Sequence, residues 1–492
     1  MRSNEYGQQR FSEHFALGKS QPELDFVDIP LDTDINLCVD PYALSIIDDD
    51  PWFVECNNLV VDFFQLVVNS IRGGFSDVAR DLLSNLREPN ETRLGLSQGR
   101  PSGRGIGRLQ AGQLYDRLVT SRAVRTGKLR DLYDCELIIP GIGGDKISDV
   151  TTNVIRGKLI TYTQAQCRLH RIPIQPRPCR PQWNDQAHCW KGGYQELPVY
   201  QGVGIILVPK AAVRLRPAVD HRDYYRHYVL PELQREYLLA EHPDAATGLV
   251  KVLRNGKRLP PTKKALEQRH PCSKEYLFEF SEEHPSVLES YKASLPKKAD
   301  LIGDADIEGV HPLPREIDIR SLSPRLDAIS PGRADAPAYH RLIVGILQAI
   351  FHPDLRNPLK EAEIHNGRKR IDIRFTSADT GFFRRLRASY GVMCPHVFFE
   401  CKNYASDPSN PELDQLAGRF SEVRGRFGIL VCRIISDRDT MVRRCKDIMN
   451  DRRGFVLVLD DNDIKRLLDM RARNDLPGIS DFLDNRFSEL IM

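Results

Sequence analysis

Three charged side chains in the last third of the chain have the types and spacing for phosphate chemistry. Glu400 and Lys402 lie two apart in His396-Val397-Phe398-Phe399-Glu400-Cys401-Lys402, an apolar run that predicts a strand, so both leave the same face. Asp372 lies in Arg370-Ile371-Asp372-Ile373-Arg374, where charged and apolar residues alternate as in a second strand. A carboxylate and an ammonium inside an apolar strand are costly to bury unless paired or liganded. If the two strands lie close in one sheet, Asp372 and Glu400 converge. Two carboxylates plus a backbone carbonyl, with Cys401 as the candidate, suit a hard cation such as Mg²⁺, for which Mn²⁺ can substitute. Such an ion polarises a phosphate oxygen and acidifies a bound water. Lys402 would orient that water or stabilise the charge that develops on phosphate.

The elements that must position these groups are readable from Pro337 onward. Leu342, Ile343, Ile346, Leu347 and Ile350 cover most of a helix from Tyr339 to Phe351, which predicts burial. Strands are expected near 359–365, 369–376 and 396–402. A helix then opens with Asn410 as N-cap and Pro411 at its first position. A fully apolar strand at 427–432, a helix near 438–450, a strand at 455–459 and terminal helices complete the order. This predicts an α/β sandwich with a mixed central sheet, in which residues 377–395 form an insertion.

Ile371-Asp372 followed by Glu400-Cys401-Lys402 resembles the motif of the PD-(D/E)xK, or restriction-endonuclease-like, nuclease superfamily. The resemblance covers about residues 335–492. It implies an Mg²⁺-dependent phosphodiester hydrolase with Asp372 and Glu400 as metal ligands and Lys402 as the catalytic lysine. Gln415 matches a glutamine that many members carry on the helix after the Lys strand. The family's proline is Ile371 here. His340 stands where the first helix often offers a glutamate, which leaves Glu363 as the substitute ligand. The resemblance further implies DNA cleavage in a restriction or anti-phage defence role, with dimerisation favoured for double-strand cutting. Two other readings stay open: an effector gated by a nucleotide or protein trigger at the N-terminal region, and an inactive nucleic-acid-binding protein of the same fold.

Basic residues cluster around the motif. Arg368, Lys369 and Arg370 precede Asp372; Arg384, Arg385 and Arg387 follow Phe382-Phe383 in the insertion; Arg419, Arg424 and Arg426 decorate the helix after the Lys strand. As a group they are candidates for phosphate contacts.

Residues 1–294 are expected to form an α+β recognition or regulatory region, and the proline-interrupted stretch 295–336 a linker to a nuclease-like domain at 337–492. Residues 52–87 read as helical. Cys135 to Ile139 reads as a strand, followed by a loop with Gly141, Gly143, Gly144 and Lys146 and then a long helix, Asp149 to His170. That order fits a phosphate cradle; without Walker A spacing, a tight turn feeding a helix is the simpler account. Cys167, His170, Cys179, His188 and Cys189 are zinc-ligand types in no finger spacing and read as reduced, partly buried side chains. The basic stretch 210–274, with Tyr224, Tyr225, Tyr228 and Tyr237, is either an accessory nucleic-acid face or a solvated helical surface. Asp25, Asp28, Asp32, Asp34 and Asp40 look like turn punctuation.

Composition bounds these readings. The 492 residues are 41% hydrophobic and 28% charged, a globular balance too long for one core. A net charge of +3 excludes a binder that works by bulk charge. No apolar run approaches the ~20 residues of a membrane span, and the first thirty residues hold no apolar signal core. Eleven cysteines without a framework spacing fit a reducing cytosol.

Overall fold

A computed structural model describes residues 9–95, 107–127, 129, 131–239, 249–298, 301–360, 373–378 and 380–492. The N-terminal part is mainly helical. Asp50 accepts from the Trp52 N–H ahead of Pro51 and so starts α1 (Pro51–Arg72), which buries Phe53, Cys56, Val60, Phe63, Phe64 and Val67 at helical spacing. Helix α2 (Ser76–Leu83) packs against it. Cys135 to Ile139 is not a strand. The residues form α3 (Asp134–Ile138), in which Asp134, Cys135, Glu136 and Leu137 are all buried without the alternation of a half-buried strand. The long helix expected from Asp149 is two helices, α4 (Gly144–Val154) and α5 (Arg156–His170), broken at Ile155. Strands β1 (Gln175–Asn184) and β2 (Cys189–Leu197) form an antiparallel hairpin beside α5.

A second cluster, drawn from described residues between 219 and 295 with Tyr42 and Leu137, holds Tyr224, Tyr225 and Tyr237 in its core. These tyrosines therefore do not form a surface interleaved with cations. Their rings fill the interior, with Tyr224 and Tyr237 fully buried.

The proline-rich stretch carries short helices that are divided between the two sides. In α6 (Asp304–Val310), Ile307 joins the N-terminal core, while Leu322 and Leu326 of α7 (Leu322–Asp327) join the C-terminal one.

The C-terminal core is an α/β arrangement around a five-stranded mixed sheet. Helix α8 (Ala336–Phe351) leads into β3 (Leu355–Leu359) and β4 (Ile373–Ser377); then come α9 (Gly381–Ala388), β5 (His396–Lys402), α10 (Asn410–Ala417) and β6 (Phe427–Cys432). Helix α11 (Arg438–Asn450), β7 (Phe455–Leu459), α12 (Asp461–Ala472) and α13 (Leu476–Ile491) finish the chain. The sheet order is β7-β6-β5-β4-β3. Strands β3, β4 and β5 form an antiparallel meander, and β5, β6 and β7 run parallel. Parallel strands need crossovers, which α10 and α11 provide. Helix α10 starts one residue earlier than its sequence suggests. Ser409 is the N-cap, since Glu412, three residues on, accepts from both its N–H and its hydroxyl.

The two sides are welded by buried polar groups. Asp25 accepts from the Tyr162 hydroxyl at 2.8 Å and, from the C-terminal side, from Gln348 Nε2 and the Asn357 N–H, both at 3.2 Å. Arg356 of β3 pairs with Asp49 at 2.5 Å. Asp25, Asp28 and Asp40, expected as turn punctuation, are all buried and hydrogen-bonded.

Candidate functional site

Strand β5 presents two faces. Val397, Phe399 and Cys401 turn toward α8, where Phe399 meets Phe351 and Phe375. Phe398, Glu400 and Lys402 share the other face, and Phe398 packs on Phe420 just after α10. Glu400 is 1% exposed. Lys402 Nζ donates to its Oε1 at 2.8 Å, and Arg419 donates to its Oε2 from the opposite direction. The carboxylate is thus clamped between an ammonium and a guanidinium, which is what keeps so buried a charge tolerable. Lys402, at the end of the strand, retains some solvent contact.

Arg419 is 1% exposed and cannot reach a phosphate from this position, contrary to its expected contact role; it neutralises Glu400 instead. Cys401 is fully buried toward α8 and lies opposite Val431 in the β5–β6 ladder. Gln415 is exposed on α10, four residues before Arg419. Asp372, Glu363, Arg368, Lys369 and Arg370 lie outside the described residues. The nearest described neighbour of Asp372 is Ile373, whose Cα partner across the antiparallel pair is Phe399.

The arginines of the insertion are not beside Glu400. Helix α9 leaves from the end of β4 that adjoins the start of β5, where the Ser377 N–H donates to the Pro395 carbonyl. Six residues of strand, roughly 20 Å, separate His396 from Lys402. Phe382 and Phe383 are core residues against Phe427, and Arg385 pairs with Asp481 and Asp484. Arg384, Arg385 and Arg387 therefore belong to the opposite end of the sheet.

What sequence reasoning missed is a basic cavity of about 740 Å³ between the two sides. Its walls hold Lys19 and Arg171 from the N-terminal side, and Arg325, Arg333, Arg341 and Lys360 from the C-terminal side. His340 at the start of α8 and Ile373 at the start of β4 also line it. Asn403, the residue after Lys402, ties this wall to β5. Its Nδ2 donates to the carbonyls of Ser330 and Gly332 at 2.9 and 2.8 Å, and its own carbonyl accepts from the Gly332 N–H at 2.7 Å. The cations come from segments far apart in sequence, so no local pattern announces them.

The glycine loop is closed by cations on its carbonyls. Arg117 donates to Pro140 at 2.6 Å, Lys146 to Gly141 at 3.1 Å and Lys274 to Ile142 at 2.6 Å. A helix, α3, precedes it where a phosphate cradle has a strand. Gly141 has φ +68, and a Cβ there would collide with Arg117, so its glycine is explained by the turn. Gly143 is the N-cap of α4, which begins at Gly144.

Among the described residues, two carboxylate–histidine groups bring ligand atoms within 4.8 Å of one another: Glu136 with Asp220 and His221, and Glu232 with Glu236 and His284. Cys167, His170, Cys179, His188 and Cys189 supply no such group. Burial pushes the Cys167 thiol up to about 12, as expected of an inert core cysteine.

No helix among the described residues is long and apolar enough to cross a membrane. A family model described as a domain of unknown function (DUF8370) matches residues 16–220, the N-terminal part alone. No curated protein and no solved structure matches the chain.

Proposed function

We propose that the C-terminal region is a metal-dependent phosphodiester hydrolase acting on DNA, in a restriction or defence role. The observation that carries this reading is the Glu400–Lys402 pair, side by side at the end of a buried strand and tied through Asn403 to the rim of a basic cavity. Supporting it are the order helix, three-strand meander, helix, strand, helix, strand, and the position of Asp372 one residue before β4. The oxygen-only donors of Glu400 and Asp372 fit Mg²⁺, or Mn²⁺ in its place. When bound, the ion would polarise the scissile phosphate and acidify a water. Lys402 would leave Glu400 as the ion arrives and offer its ammonium to the attacked phosphate. Arg419 would keep one carboxylate oxygen fixed, so that Glu400 presents the other in a constant direction. The cations of the cavity rim would bind the phosphates that flank the cut.

A second reading, nucleic-acid binding without cleavage, is favoured by the two cations that already occupy Glu400. One experiment separates them. Purified protein is incubated with plasmid and linear DNA with and without Mg²⁺ or Mn²⁺, alongside Glu400→Gln and Lys402→Ala. Metal-dependent cutting lost in both variants, each still folded with a cooperative melting transition, is expected. Cutting that survives both removes these residues from the chemistry, and no cutting by the parent protein favours the binding reading.

A further inference from the structure

The cavity between the two sides has a composition that its own fold does not require. Among the described residues, six cations line it and no carboxylate does. Behind the wall, Glu23 serves two of the six, Arg325 at 3.0 Å and Lys19 at 3.8 Å. Among the described residues, Arg171, Arg333, Arg341 and Lys360 have no carboxylate within ion-pair distance. Like charges gathered on one concave wall repel one another, and the low-dielectric walls strengthen that field. Lys19 registers the strain: burial, together with Arg325 and Arg341 and against the pull of Glu23, brings its ammonium down to about 8. Such a wall is stabilised by an anion with several charges.

The remaining lining narrows the chemistry. Phe15, Leu17, Leu169, Leu342 and Val344 give the cavity an apolar side that an inorganic anion would leave unused. A volume of about 740 Å³ suits a ligand of drug or nucleotide size. Lys19, with its side chain only 7% exposed, donates to the Arg341 carbonyl at 3.1 Å, which fixes its ammonium on this wall. The first residues of α8, a 16-residue helix, also line the cavity and add the positive end of its dipole.

We propose that this cavity binds a nucleoside phosphate bearing at least two negative charges, with its phosphates on Lys19, Arg325, Arg333 and Arg341 and its base against the apolar wall. The ligand would touch both sides of the molecule at once. Its binding would therefore bias their docking, and with it the β5 end that Asn403 ties to the same rim. The proposal is independent of whether Glu400 takes part in hydrolysis.

The test uses the full chain in EDTA and low salt, so that binding is read without cleavage. ATP, ADP, AMP, inorganic phosphate and a 5′-phosphorylated oligothymidylate of about a dozen nucleotides are titrated by calorimetry or by competition. Saturable binding of ATP or ADP, weakened about tenfold or more by Lys19→Ala and by Arg341→Ala, is expected. Arg341 is exposed, so its variant still reports if loss of Lys19 disturbs folding. If only the oligonucleotide binds, with the same dependence on Lys19 and Arg341, the nucleoside phosphate is a unit of a strand and not a free nucleotide. Binding of no probe, binding indifferent to both substitutions, or inorganic phosphate competing as well as ATP would overturn the assignment.

Discussion

Replacing Arg419 by methionine tests the electrostatic account of the β5 site. Arg419 and Glu400 have side chains 0% and 2% exposed, so screening by solvent does little for the pair. Removing one member of such a pair typically costs about 3–5 kcal/mol, because the other charge stays buried. Lys402 remains on Oε1 at 2.8 Å and compensates in part, which places the expectation near the low end, about 3 kcal/mol. For a core of this size that corresponds to roughly 6–12 °C in melting temperature. The double variant Glu400→Gln/Arg419→Met, with no charge left to neutralise, should recover much of the loss, a coupling of at least ~1 kcal/mol. If Glu400 is a metal ligand, Mg²⁺ should raise the melting temperature of Arg419→Met more than that of the parent protein. The assay is thermal unfolding of the parent protein, Glu400→Gln, Arg419→Met and the double variant, with and without Mg²⁺. A shift under about 2 °C for Arg419→Met would refute the claim that a buried guanidinium is needed to hold Glu400.

Three further outcomes are expected. Burial, with help from Glu88 and Asp145, raises Asp149 from its ordinary value to about 7. A raised carboxyl costs stability wherever it is ionised in the fold, fully above pH 7 and not at all below about 4. Asp149→Asn should accordingly raise the melting temperature at pH 8 and leave it unchanged near pH 4; a gain of equal size at both would contradict the assigned cause. Asn403→Ala removes two hydrogen bonds to the carbonyls of Ser330 and Gly332, each worth about 0.5–1.5 kcal/mol where water can replace it. It should also speed tryptic cleavage after Arg333, read by mass spectrometry, and an unchanged rate would show that Asn403 does not hold the rim. Arg385→Glu should weaken the docking of α13 through Asp481 and Asp484 yet leave the salt dependence of nucleic-acid binding unaltered, since α9 lies at the far end of the sheet. A flattened salt slope would return the insertion to the binding surface.

Short-range patterns made the C-terminal elements legible. The circumference of apolar residues over 339–351, the alternation around Phe375 and the continuous apolar runs at 427–432 and 455–459 each reflect how one element meets a core, and each is visible in a few consecutive residues. For the same reason Glu400 and Lys402 could be placed on one face of a buried strand from their spacing alone. The glycine loop misled because Cys135 to Ile139 is apolar enough for either a strand or a short helix, and periodicity cannot separate the two over five residues.

Partners across the fold were not legible. Nothing near Glu400 in the chain says that Arg419 neutralises it, and nothing near Arg384 says that α9 turns away from β5; both follow from the path of the chain through the sheet. The basic cavity depends on residues 19, 171, 325, 333, 341 and 360, which share no period. Sequence by itself determined most of the C-terminal strands and helices and which carboxylate must be compensated, since these depend on local periodicity and the cost of burying charge. Only the tertiary structure decided what compensates it and where positive charge accumulates, because Coulomb energies depend on distances between groups that the sequence keeps far apart.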